Sequence, residues 1–195
     1  MATRQCYRSA SDTRTHFLCN VDLVSVLLDV LVLRGGAASM KYAPPGDQEE
    51  FYDNLRKACR TEAEEATLML LWRTGMHAST LCSRDWVIVQ DYCSWTRPKT
   101  GKYLRATLKW SEIKLILRCD NAGLLPASTS TLRRWVRRIG DRAGYAAVSP
   151  LTFRHSRAVW LLDEGIKPHR VACLLGCSYE VLEKHYAQLE AERLV

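Results

Sequence analysis

The apolar positions of this chain change period twice along its length, and the changes mark out its elements. Residues 15–34 are mainly apolar and end at Gly35-Gly36, which predicts one buried helix. Lys41-Tyr-Ala-Pro-Pro-Gly46 is a linker, because Pro-Pro-Gly cannot continue a helix. Asp47-Gln-Glu-Glu50 then sets acids at a helix N-terminus, where the helix dipole favours them. Thr61-Glu-Ala-Glu64 has the spacing of a capping box. The helix it opens carries Ala66, Leu68, Met69, Leu70 and Leu71 to a stop at Thr74-Gly75, and a short helical turn follows at Ala78–Cys82.

From Trp86 the period becomes two. Trp86–Gln90, Tyr92–Thr96 and Tyr103–Leu108 are rich in β-formers, and Pro98-Lys-Thr-Gly-Lys102 supplies a turn, so a small antiparallel sheet is expected. The helical period then returns at Ser111–Cys119, Ser130–Ala143, Pro150–Glu164 and Pro168–Leu175, with a last helix from Tyr179 to about residue 190. The predicted fold class is α+β, mostly helical with a three-stranded antiparallel sheet. Residues 1–46 form a basic arm, an apolar helix and a linker, and residues 47–195 form the main domain.

At 195 residues the chain can bury one good core, and a 47% hydrophobic content with six tryptophans argues for a folded protein. The eight cysteines lack a paired framework and no signal-peptide pattern precedes them, so the thiols are read as reduced and the protein as intracellular. The run Phe17–Leu33 carries Asp22 and Asp29 and is too short and too charged to span a bilayer. His169, Cys173 and Cys177, with His185 beyond, are zinc-ligand types, but Gly176 interrupts their helical face and no close Cys-x-x-Cys pair supports them. No metal is expected.

A net charge of +7 favours a polyanionic partner. Its densest part is Arg133, Arg134, Arg137, Arg138 and Arg142. Leu132, Trp135, Val136, Ile139 and Ala143 take the buried stripe of the same helix, which sends the arginines to the solvent side. An ordinary solvated helix face is the bland reading. Five arginines with the single Asp141 among them exceed what solubility needs, and a track for DNA phosphates is the better one.

The segment Leu151-Thr152-Phe153-Arg154-His155-Ser156, then Leu174-Leu175-Gly176-Cys177, then Tyr186 nine residues after Cys177, resembles the C-terminal signature of the tyrosine recombinases (phage-integrase family). Their usual form is His-x-Leu-Arg-His-(Thr/Ser), then Leu-Leu-Gly-His, then Tyr. Trp72-Arg-Thr-Gly-Met-His77 is similar to the family's Thr-Gly-Leu-Arg box, and Pro98–Lys102 to its lysine-bearing hairpin. The resemblance runs from about residue 47 to residue 190 and implies the recombinase catalytic domain.

On that resemblance Tyr186 is the nucleophile. It attacks a DNA phosphodiester to leave a 3′-phosphotyrosyl link and a 5′-hydroxyl, and no cofactor is implied because the bond energy is kept. Arg154 would clamp the non-bridging oxygens, a bidentate task suited to guanidinium. Lys99 would protonate the leaving oxygen, with Lys102 as its neighbour and a DNA contact. The departures are specific. His77 stands where the family has its first arginine, and Thr80 where it has a supporting acid. Leu151 replaces a histidine and donates nothing, while Cys177 replaces another and is a weak donor. Removing one preorganised donor typically costs about 10²–10³ in rate. His155 is the nearest spare imidazole, about 100° around the helix from Arg154.

Two functions follow. One is a site-specific recombinase or integrase, attenuated by these changes, acting on duplex DNA as a dimer or tetramer. The other is a catalytically inactive DNA-binding module that regulates or partners an active recombinase. Neither involves a membrane.

Overall fold

The structure is a computed structural model that describes residues 48–97, 101–180 and 182–183. The expected arm, apolar helix and linker of residues 1–46 lie outside the described residues, as do Lys99, His185 and Tyr186. The order of elements is α1 (Gln48–Lys57), α2 (Glu62–Thr74), α3 (Ala78–Ser83), β1 (Trp86–Val89), β2 (Tyr92–Thr96), β3 (Tyr103–Thr107), α4 (Trp110–Asn121), α5 (Thr129–Arg142), α6 (Pro150–Asp163) and α7 (Pro168–Leu175). Every described element meets its sequence expectation to within two residues.

Helix α2 is the central element. Ala66, Leu68, Leu70 and Leu71 are wholly buried, and α2 touches α1, α4, α5, α6 and β3. Its start differs in one respect from a reciprocal capping box. Thr61 Oγ1 does accept from the Glu64 N–H at 3.1 Å, but the Glu64 carboxylate turns to the Arg60 N–H at 2.8 Å instead of that of Thr61. The reason is long-range: the same carboxylate oxygen takes Arg142 from α5 at 2.6 Å. Arg73 similarly ties α2 to α4 through Glu112 at 2.9 Å.

The sheet has the order β1-β2-β3, antiparallel throughout, with Trp86 opposite Trp95 and Trp95 opposite Leu104. Trp86, Cys93, Trp95, Leu104 and Ala106 fill its inner face, while Val87, Val89 and Tyr103 face solvent. The β1–β2 turn takes in Gln90, which the sequence pattern assigns to β1: Gln90 adopts the left-handed conformation at φ 56°, a task usually left to glycine or asparagine.

Among the described residues two apolar clusters are distinct. The larger is built from α1 through the start of α6. The smaller joins Leu161 of α6 to Val171, Ala172 and Leu175 of α7 and to Leu182. Among the described residues no helix is long and apolar enough to cross a membrane.

Candidate active site and nucleic-acid face

The site is assembled where α2, α6 and α7 end or begin together. Helix α2 stops because Gly75 adopts φ 59° and returns its N–H to Leu71 O at 2.9 Å. A Cβ at Gly75 would meet Leu175 Cδ2 at 3.4 Å and Arg154 Cα at 3.7 Å, so this turn carries the close approach of the other two helices. His77 follows as the residue ahead of α3, and Thr80 lies buried in α3 with its Oγ1 unpartnered among the described residues.

Helix α6 is started by Ser149, whose hydroxyl accepts from the Thr152 N–H at 3.3 Å while Thr152 Oγ1 takes the Ser149 N–H at 3.1 Å. One turn in, Arg154 is only 9% exposed. Its Nη1 donates to Gly75 O at 2.9 Å, and its Nη2 donates to Leu175 O. A guanidinium has five N–H donors, so among the described residues three remain after these two bonds. Burial pushes the Arg154 guanidinium below its usual range. The nearby Cys177 sulfur works against that shift, and the like charge of Arg97 adds to it.

Helix α7 ends at Gly176, φ 64°, whose N–H caps the helix. A Cβ here would come 3.0 Å from Leu104 Cδ1 and 3.1 Å from Arg97 Cδ. Leu-Leu-Gly therefore packs against the sheet, and Cys177 emerges half-buried beside the small cluster and within electrostatic range of Arg154. Arg97 was not singled out by sequence. A lone arginine before Pro98 carries no spacing signal, and only the fold brings it to Gly176.

A cleft is lined by Met76, His77, Ala78, Arg133, Ser149, Pro150, Leu151 and Arg154. Three of the sequence candidates, His77, Arg133 and Arg154, thus share one concavity. Leu151 lies at the same cleft with 53% of its surface exposed. Arg133 also belongs to the exposed row Arg133, Arg134, Arg137 and Arg138, so the basic face of α5 begins inside the cleft and runs outward. Arg142 does not extend it. Its Nη2 pairs with Glu64 at 2.6 Å and its Nε with Ala58 O at 2.8 Å, which makes it a strut between α5 and α2. Lys102 is exposed directly before β3, where its carbonyl accepts the Arg97 N–H at 2.9 Å. His155 is half-buried on α6 and is not among the residues lining the cleft. His169 and Cys173 are exposed on α7, and no group of three His, Cys, Asp or Glu among the described residues could hold a metal ion.

No family model and no curated protein matches the sequence. The fold does have counterparts among solved structures. XerA recombinase is similar at a TM-score of 0.60 and 18% identity, over 78% of this chain and 66% of that one. XerH site-specific recombinase bound to difH substrate gives 0.59 and 17%, over 76% and 50%. A lambda integrase dimer bound to a COC′ core site gives 0.57 and 16%, over 84% and 70%. The chain thus spans half of the XerH chain and less than two thirds of the XerA chain. Its fold is that of the tyrosine-recombinase catalytic domain.

Proposed function

We propose that this protein binds duplex DNA along α5 and holds one phosphodiester in the cleft beside Arg154, where Tyr186 attacks it. The observation that carries this reading is Arg154 itself. It is a buried guanidinium anchored by two main-chain carbonyls, with donors left for an anion and with His77 and Arg133 on the same cleft. A charge this buried is costly unless paired, and two oxygens of a phosphodiester are matched to its geometry. Arg133, Arg134, Arg137 and Arg138 would neutralise neighbouring phosphates. Lys99 would protonate the leaving 5′-oxygen as Tyr186 forms the 3′-phosphotyrosyl bond. The protein would act as an intracellular recombinase or integrase, as a dimer or tetramer on DNA. In the solved structures named above, XerH is bound to its substrate and the lambda integrase is a dimer on its core site.

A second reading is favoured by Leu151. An exposed leucine at the phosphate cleft supplies no donor, as expected of a catalytically inactive module that binds DNA and regulates or partners an active recombinase. Nicked suicide duplexes, enriched for binding from a random-sequence pool, separate the two. A denaturation-resistant adduct that disappears in Tyr186→Phe supports the enzyme. Tight binding with no adduct supports the module.

A further inference from the structure

We propose that Arg97 is a second guanidinium for the phosphodiester beside Arg154, taking the contact that Cys177 is too weak a donor to make. This rests on the reading of the cleft as a phosphodiester site. Arg97 follows β2 at the foot of the hairpin, and its backbone is held from both sides. Its N–H donates to Lys102 O and its carbonyl accepts from Gly101 N–H, each at 2.9 Å. The side chain then runs across the turn that closes α7, with its Cδ at 3.1 Å from where a Cβ on Gly176 would stand and with Leu104 beside it. This places Arg97 over the residue directly before Cys177. That is where the resemblance to the recombinases implies an imidazole and this chain has only a thiol.

The Arg97 Nε is buried and has no hydrogen-bond acceptor among the described residues, and no described carboxylate lies within ion-pair distance. The charge is also close enough to Arg154 to add to the burial that lowers the Arg154 guanidinium. Two mutually repelling cations on one glycine turn gain most from an anion placed between them. A phosphodiester fits, since its two non-bridging oxygens accept several N–H donors at once. Guanidinium in place of imidazole restores the donor count at a position where a thiol donates poorly.

The Nε–Hε signals of Arg97 and Arg154 in the full-length protein, followed by NMR during titration with dimethyl phosphate, test this without relying on catalysis. The expected result is that both signals shift along one binding curve. Arg97→Ala should weaken the curve reported by Arg154 by about ten-fold or more, and Arg97→Lys by less. A shift of Arg154 alone, or an Arg97→Ala variant with unchanged affinity and a dispersed amide spectrum, overturns the proposal and leaves the phosphate cleft standing. Absence of any shift at either arginine overturns the phosphate cleft itself and this proposal with it.

Discussion

Arg154 donates a hydrogen bond to the main-chain carbonyl of Leu175, so the side chain that faces the cleft also joins α6 to the end of α7. With its second bond, to Gly75, it bridges the large apolar cluster and the small one. Binding and architecture are therefore not separable at this residue. Arg154→Ala is expected to strand two carbonyls and destabilise the protein by about 2–4 kcal/mol. Arg154→Lys, whose single ammonium cannot span both carbonyls, should fall between it and the wild type. Urea unfolding midpoints check the order.

The arginines of α5 should divide into two kinds. Arg134→Ala combined with Arg138→Ala is expected to weaken binding to all duplex sequences alike and to flatten the salt dependence by about one unit per lost phosphate contact. Arg142→Ala should instead lower stability by roughly 1–3 kcal/mol, because Glu64 in the first turn of α2 is left poorly paired, and should leave the salt slope unchanged. Binding isotherms at several salt concentrations, set beside unfolding curves, distinguish them.

Gly140 is where α5 passes under Val148. A Cβ there would stand 2.7 Å from Val148 Cγ2 and 3.0 Å from Tyr145 O. Alanine has the better helix propensity by up to about 1 kcal/mol, but overpacking costs about 1–3 kcal/mol. Gly140→Ala is thus expected to melt below the wild type. A higher melting temperature would contradict this packing.

The thiols offer a pH test. Burial pushes the Cys93 thiol up to about 12, while Cys173 lies exposed on α7. At pH 8 the Cys93 thiolate fraction is then on the order of 10⁻⁴ and rises about tenfold per pH unit. Iodoacetamide followed by peptide mapping should label Cys173 early and native Cys93 slowly, with Cys93 labelling growing as pH rises and becoming fast on unfolding.

Much of this architecture was legible from periodicity alone. The switch to period two at Trp86 and back at residue 111, and stop signals such as Thr74-Gly75, carry enough local information to set element bounds. What escaped depends on distant partners. Nothing near Arg142 announces Glu64, which lies 78 residues earlier, so a charge run read as one face contained a structural strut. Arg97 sits just ahead of the Pro98–Lys102 turn with no spacing rule to single it out, and its nearness to Gly176 exists only in the fold. The meeting of Arg154 with Gly75 was reachable through the recombinase resemblance and through no spacing rule. The chemistry assigned to Lys99 and Tyr186 rests on that resemblance, since both lie outside the described residues.

Restoring the altered donors should raise activity. His77→Arg with Leu151→His is expected to increase adduct formation on the order of ten-fold or more, if each change restores one transition-state contact. The gain should vanish when Tyr186→Phe is added. Single-turnover adduct assays report both effects.

The central claim, that Tyr186 attacks a phosphodiester held by Arg154, is tested most directly by mapping the covalent link. Wild type and the His77→Arg, Leu151→His variant are incubated with the selected suicide duplexes, digested, and sequenced by mass spectrometry. The account predicts a nucleotide joined through its 3′-phosphate to the peptide containing Tyr186, with a new 5′-hydroxyl on the released strand. An adduct on another residue, or none from either protein while both still bind the duplex, would contradict it.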